Sequence, residues 1–174
     1  RQFVDDLDLP QQIEVDVEFI GNPDRSGFTA AASMTPRLAL LNWNHVLLYP
    51  KGAVMQEAMV RPSIRLPEGW KMGCALAAVE NKADRTVLES ATLERLVDSP
   101  VLCGRHYREI EIGPKGDVPH LLCLAGDSEG ALNVPADLKA NYDRLVAEAR
   151  ALFGARHYRS YRFLVLLSDH VAHF

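Results

Sequence analysis

The sequence predicts a mainly β fold: an antiparallel β-sandwich-like domain, followed by one long α-helix and a buried strand. Three observations support this. Short alternating or apolar runs are separated by turn residues as far as residue 126. After Gly126 the apolar period changes from two residues to 3.6, which is typical of an amphipathic helix. Near the end, Phe163–Leu167 is an unbroken apolar run, the pattern of a strand buried on both faces.

The bulk composition excludes two classes of partner. The 174 residues are enough for one domain, or for one domain and a piece of another. With 19 Lys and Arg against 23 Asp and Glu, the net charge is -4, so the basic footprint of a nucleic-acid-binding protein is missing. No apolar run approaches the ~20 residues that a transmembrane helix needs. We therefore expect neither nucleic acid nor a membrane span.

The three cysteines, Cys74, Cys103 and Cys123, are an odd number, which argues against a disulfide framework. Free thiols favour a reducing compartment such as the cytoplasm. The chain begins at Arg1 rather than Met, so a signal peptide could precede it and the localisation stays unassigned.

The first strands are predicted from alternation and apolar runs. Ile13–Phe19 alternates apolar and acidic residues and is the clearest strand pattern in the chain. Phe28–Met34 and Arg37–Leu41 are the next two candidates. Ala58–Leu66 carries Pro62, which indicates an edge strand or a bulge because proline cannot donate to a ladder.

The middle of the chain continues the β pattern. Met72–Val79 and Arg85–Glu89 are expected to form a hairpin, and the spacing within Leu93–Val97 predicts a short helical turn. Tyr107–Ile112 alternates again, and His120–Ala125 is an apolar strand. Strands at this spacing suggest a sandwich.

A long helix is predicted from about Pro135 to Phe153. Its apolar residues recur at i, i+4, i+7, i+11 and i+14, namely Leu138, Tyr142, Leu145, Ala149 and Leu152. Pro135 suits the first turn and Gly154 suits the C-terminal cap. The change of pattern places a domain boundary between Gly126 and Asn133, which divides the chain into 1–126 and 127–174.

Four residues have the types and gaps of a zinc site: Cys103, His106, His120 and Cys123. Their segments, however, are predicted strands, in which residues three apart point to opposite faces. Only Gly104 could help to form a knuckle that brings the four side chains together. Core cysteines and ordinary strand histidines are the favoured interpretation.

Trp43 and Trp70 are candidate surface contacts for a sugar or peptide, although anchoring the edge of a sandwich is the simpler role for them. No glycine-rich phosphate loop, nucleophile elbow or pair of catalytic carboxylates stands out. The residues alone therefore predict a soluble β-rich domain with a helical tail.

Four blocks of the sequence resemble, in order, the N-terminal region of the glycyl aminopeptidase family. They are Asn42–Gly52, Val60–Trp70, Leu96–Tyr107 and Leu152–Asp169, and they are spread along most of the chain. Members of this family are zinc metallopeptidases with a thermolysin-like catalytic domain and a C-terminal PDZ domain. The last block resembles the opening of that catalytic domain.

The resemblance implies that residues 1–126 are an N-terminal β-domain lacking its first strands, and that 127–174 begin a truncated catalytic domain. The family's Gly-Leu-Glu-His edge strand and His-Glu-x-x-His zinc helix are absent from this sequence. We therefore expect no catalytic or metal-binding residue and no cofactor in this chain, with zinc held by the parent enzyme. The implied partners are the rest of the catalytic domain and, in the parent, a peptide substrate.

Three functions are held open. The leading one is a non-catalytic scaffold and substrate-cleft region of a zinc aminopeptidase that hydrolyses N-terminal residues from peptides. The alternatives are a stand-alone β-sandwich module that binds peptide or carbohydrate, and a small Cys/His zinc-binding protein. Because the strand at Phe163–Leu167 is apolar on both faces, we also expect a homodimer through residues after Asn133.

Overall fold

The structure is a computed structural model that describes residues 14–18, 33–155 and 157–171. It confirms the predicted class, since these residues are mostly β, with mainly antiparallel strand pairing and one long helix. The elements, in chain order, are β1 Ser33–Met34, β2 Leu38–Leu41, β3 Met59–Val60, β4 Ser63–Ile64, β5 Lys71–Cys74, β6 Ala78–Asn81, β7 Thr86–Leu88, β8 Ala91–Thr92, α1 Leu93–Val97, β9 Val101–Gly104, β10 His106–Ile112, β11 His120–Gly126, α2 Ala136–Phe153 and β12 Tyr161–Leu167.

Two sheets form the centre of the molecule. One has four antiparallel strands in the order β1-β2-β9-β5, and the other has three in the order β10-β11-β12. They pack face to face because alternate side chains of β2 and β9 point at alternate side chains of β11 and β12. The buried residues of this layer are Leu38, Leu102, Cys123, Ala125 and Val171.

Helix α2 covers the other face of the three-stranded sheet. Its only buried residue, Val146, packs with Ile112, Leu122, Leu124 and Leu132. A third core lies on the far face of the four-stranded sheet, where Cys74 and Val101 alternate with the residues that face the other way. The layers are therefore, in order, α2, the three-stranded sheet and the four-stranded sheet, and the third core lies on the far side of the four-stranded sheet.

The connection β11–α2–β12 is a parallel crossover. Residues His120–Gly126 pair in register with Tyr161–Leu167, and parallel neighbours need a long connection, which α2 supplies. Pro135 precedes the first helical residue, and Gly154 ends the helix at a φ of 65° that a side chain would disfavour. The predicted helix and last strand are confirmed. The division into 1–126 and 127–174 stays a prediction, and β11 and β12, from its two sides, share one sheet.

Two expectations about strands are wrong. Residues 14–18, the described part of Ile13–Phe19, form no strand. Val15 and Val17 are 50% and 47% exposed, so the apolar face of the alternating pattern is not buried against a neighbouring strand among the described residues. In the predicted hairpin, β6 pairs with β7, but the earlier half of Met72–Val79 is β5, which pairs with β9 in a different sheet. The candidate Phe28–Met34 is described only at β1.

The run Ala58–Leu66 divides at Pro62 into β3 and β4, as the proline predicted. The turn of helix at Leu93–Val97 is also confirmed, and its cap is the Thr92 hydroxyl, which accepts the Arg95 N–H at 3.2 Å. None of the helices in the described ranges is both long and apolar enough to cross a bilayer.

Candidate functional site

The four candidate zinc ligands do not converge. In the ladder between β10 and β11, His106 lies opposite Gly126 and His120 lies opposite Ile112, at the other end of the strands. Six residues separate these positions, which is roughly 20 Å along a strand. Cys103 belongs to β9 in the other sheet, and Cys123 lies in the middle of β11. The register therefore excludes a four-ligand site. It also removes the basis for the alternative function of a small Cys/His zinc-binding protein.

His120 is buried, and both of its ring nitrogens are engaged. Nδ1 lies 2.7 Å from the Val118 carbonyl oxygen and Nε2 lies 2.9 Å from the Tyr158 hydroxyl. A carbonyl oxygen only accepts, so Nδ1 carries the proton, and in the neutral ring Nε2 accepts from Tyr158 O–H. These bonds attach the segment before β12 to the start of β11, and they leave no free nitrogen for a metal.

The three thiols are buried and unreactive in character. Burial raises the pKa of Cys103 to about 11, and burial is also the main cause that raises the pKa of Cys74 and Cys123. All three are free cysteines, as the odd number predicted. A thiol with a raised pKa is neither a good nucleophile nor a good ligand near neutral pH, so these side chains serve packing.

The two tryptophans differ. Trp43 is buried, and its indole N–H donates to the Ser99 carbonyl oxygen at 2.7 Å, so it anchors a core and is unavailable as a surface contact. Trp70 is partly exposed after the turn at Gly69. The expectation that both could line a binding surface is wrong for Trp43, because an indole whose N–H finds a buried acceptor is stable inside.

A polar cluster on β10, β11 and β12 has no counterpart among the predicted site residues. The Tyr107 hydroxyl donates to Glu109 Oε1 at 2.6 Å, and an Arg162 guanidinium nitrogen donates to the same oxygen at 3.4 Å. Cys123 Sγ lies 3.9 Å from that oxygen. Strand β5 covers the cluster at Gly73, where a Cβ would overlap the Tyr107 hydroxyl.

The geometry of this cluster suits positioning rather than chemistry. Burial is the main cause that raises the pKa of Tyr107, so its hydroxyl stays protonated and donates. Arg162 Nε is buried without a hydrogen-bond partner. The alternation of Tyr107–Ile112 places Tyr107 and Glu109 on one face of a strand, which is the part of the cluster that the sequence could predict. Arg162 joins them through the parallel register of β12, which no local sequence pattern indicates.

A shallow cleft of about 340 Å³ lies between the end of α2 and the segment that leads to β12. Arg150, Phe153, His157 and Tyr158 are among its lining residues. Arg150 donates to the nearly inaccessible Asp117 carboxylate at 3.0 Å, so its charge is partly compensated. The cleft has aromatic and cationic walls, but no acid or nucleophile lines it.

No metal site forms among the residues that the structure describes, since no three His, Cys, Asp or Glu side chains come together as ligands there.

Two comparisons with known proteins show what this chain is similar to. A family model for the peptidase M61 N-terminal domain matches residues 6–105. The crystal structure of an aminopeptidase N family protein from Idiomarina loihiensis superposes with a TM-score of 0.55 at 19% sequence identity, covering 78% of this chain and 22% of that one. At this identity the likeness shows the fold alone, and this chain spans about a fifth of that protein. No curated protein matches the sequence.

Proposed function

The chain belongs to the peptidase M61 family through its N-terminal domain, and from this we propose that it is the non-catalytic scaffold and substrate-cleft region of a zinc aminopeptidase. The parent enzyme would hydrolyse N-terminal residues from peptides, as the resemblance to the glycyl aminopeptidases implies. Its thermolysin-like catalytic domain would begin within 127–174, and a PDZ domain would follow. The family match over residues 6–105 is the observation that carries this proposal.

The architecture supports a scaffold role. Matched residues supply β9, whose side chains pack against the β10-β11-β12 sheet that follows them. β12 in turn belongs to the last of the four blocks that resemble the peptidases. A continuous core between the matched domain and β12 would hold the first strand of a catalytic domain in a fixed position. The stand-alone binding module has no comparable support, because Trp43 is buried.

Zinc chemistry has to come from elsewhere in the parent. The described residues do not fit zinc, since the four Cys and His candidates are separated by the sheet register and bring no open coordination position together. No step of hydrolysis is therefore assigned to this chain. Its contribution would be to form one wall of the cleft in which the parent binds a peptide.

The test compares this 174-residue chain with the full-length gene product, using glycyl- and alanyl-p-nitroanilide as substrates. We expect release of nitroaniline by the full-length protein, loss of that activity with a chelator, and none above background from the chain alone. Chelator-sensitive hydrolysis by the chain alone would contradict the proposal. So would a full-length gene product that contains no peptidase domain.

A further inference from the structure

The small sheet β4-β7-β6 has one face in the third core and one face that points outward. Ser63 of β4 pairs with Val87 of β7, and successive side chains of a strand point to opposite faces. Leu88 is buried in the third core with Ile64 packed beside it, so Val87 points outward. Val87 is nevertheless buried, and this outward face is therefore covered rather than bare.

The outward face and the turn beside it carry a network in which four cations share two carboxylates. The ion pairs are Arg61–Glu80 and Lys82–Glu80 at 3.7 Å, Arg65–Asp84 at 3.6 Å and Arg85–Asp84 at 3.2 Å. Glu89, two residues after Val87, is engaged by Arg95 at 2.6 Å and does not change this balance. The network keeps an excess of positive charge, which attracts further carboxylates.

An acidic segment from the start of the chain, residues 14–18, lies beside these cations. It alternates three carboxylates with Val15 and Val17. Asp16 Oδ1 lies 3.9 Å from a guanidinium nitrogen of Arg65. These two side chains are 77% and 57% exposed, and a single exposed ion pair contributes little to stability. The position of the segment therefore depends on more than this pair.

Arg85 gives the same segment a second attachment. Its hydrogen bond to Asp84 is the main cause that raises the pKa of the Arg85 guanidinium above its ordinary value, and the negative charges of Asp16 and Glu14 raise that pKa further. Two carboxylates of the segment thus act on two arginines beside the sheet. Several charges that form a network hold better than one isolated pair.

We propose that the outward face of β4-β7-β6 is a docking surface for an acidic polypeptide segment, and that residues 14–18 of the same chain occupy it as a strap held by charge. Charge complementarity selects this occupant, because the segment carries three carboxylates and no cation. Val15 and Val17 remain about half exposed, so apolar packing contributes less to the contact. The strap concerns a surface that the peptidase proposal does not use, and it does not depend on that proposal.

The experiment measures the distance between the strap and the sheet with two spin labels on the 174-residue chain. Val17→Cys places one label on the strap and Val79→Cys places the other on β6, at positions that are 47% and 56% exposed. The three native cysteines are free but buried, so the introduced thiols are labelled selectively. Dilution with unlabelled protein isolates the distances within one chain.

At low ionic strength we expect one narrow distribution of distances. Raising NaCl to about 1 M, where the Debye length is about 3 Å, should roughly double the width of that distribution, because the charges that hold the strap are screened. Neutralising the strap with Glu14→Gln, Asp16→Asn and Glu18→Gln should broaden the distribution equally without added salt. The matched control removes three exposed carboxylates elsewhere and should leave the distribution narrow: Glu57→Gln, Glu129→Gln and Glu148→Gln.

A narrow distribution that survives either high salt or the three strap substitutions would overturn the proposal, since the segment would then be held without its charges. A broad distribution at low ionic strength would also overturn it, because the segment would not be seated on the sheet. A short distance that disappears on dilution would assign the surface to a second copy of the chain and would overturn the strap.

Discussion

β11 and β12 lie side by side in the same sheet and are both largely apolar, but they differ in burial. Except for Leu121, every residue of β11 is buried, whereas Tyr161 of β12 is exposed and the other six residues are half-buried. β11 has a strand on each side and packed layers on both faces. β12 has the same layers but, in the described residues, a neighbour on only one side. An apolar run therefore predicts a strand in a core, while its position in the sheet decides how much of it is buried.

The first prediction sharpens this contrast with the same substitution in both strands. Leu122→Ala in β11 should lower the free energy of unfolding by about 3 kcal/mol, because a fully buried leucine leaves a cavity. Leu167→Ala in β12, whose side chain packs in the same cluster, should cost roughly half as much, since less area leaves water on folding. Urea denaturation of both variants gives the two values, and equal losses would show that β12 is covered as completely as β11.

The second prediction concerns the layer that covers the polar cluster. Gly73→Ala should destabilise the protein by about 2 kcal/mol, because the new methyl group would overlap the Tyr107 hydroxyl and lie 3.0 Å from Cys123 Sγ. Tyr107→Phe removes the overlapping oxygen, so the double variant should be more stable than the sum of the single effects predicts. Additive losses, measured by chemical denaturation, would mean that β5 does not press on this cluster.

Local patterns in the sequence predicted the strands and the helix around the polar cluster well, but they did not predict which of these elements lie side by side. The alternation of Tyr107–Ile112 and the 3.6-residue period before Gly154 each reflect one element and its solvent side, and both predictions are confirmed. The pairing of β5 with β9, the parallel register of β12 and the cluster around Glu109 depend on residues far apart in the chain. The four candidate zinc ligands are separated for the same reason, because residue types and sequence gaps do not determine which ends of two strands lie next to each other.

The sequence also could not predict which face of α2 is exposed. Periodicity gave the apolar stripe that includes Leu145, but it cannot show that the helix rotates to place Val146, at the side of the stripe, against the sheet. That orientation is set by close packing with distant residues. A Cβ at Gly113 would lie 2.8 Å from a methyl group of Val146, so this glycine lets the turn after β10 approach the helix.

The third prediction tests how α2 is held on the face opposite β5. Asp143 Oδ1 accepts the Gly113 N–H at 2.8 Å, and the Lys139 ammonium lies 2.9 Å from Oδ2. Asp143→Ala should cost about 1 kcal/mol, reduced by screening because the carboxylate is 37% exposed. Asp143→Asn keeps an acceptor for Gly113 and should cost about half as much.

The pH dependence of that loss follows from the direction of the pKa shift. The hydrogen bond from Lys139 is the main cause that lowers the pKa of Asp143 below its ordinary value of 3.8. A group with a lowered folded pKa stabilises the protein above its unfolded pKa and loses that contribution as the pH falls through the folded value. The difference between the native protein and Asp143→Asn should therefore be full near neutral pH and shrink below about pH 4. A difference that does not change with pH would exclude the charge as its source.

The last and weakest effect concerns the side of β12 that pairs with no strand among the described residues. We propose that the isolated chain forms a homodimer there, through residues after Asn133. β12 presents backbone groups, and the exposed Leu145 and Leu152 of α2 present apolar side chains; together they favour pairing with a second copy. The side chains on both faces of β12 already pack within the chain, so β12 itself adds little apolar surface to the contact and the association should be weak. We expect sedimentation velocity to show a monomer at low micromolar concentration and a growing dimer fraction as the concentration rises toward the millimolar range.

Leu145→Gln combined with Leu152→Gln should reduce that dimer fraction, while Leu48→Gln, at a 67% exposed position outside this region, should leave it unchanged. A monomer at every concentration would mean that the edge of β12 is as self-sufficient as the interior position of β11, and a dimer lost only with Leu48→Gln would place the contact elsewhere.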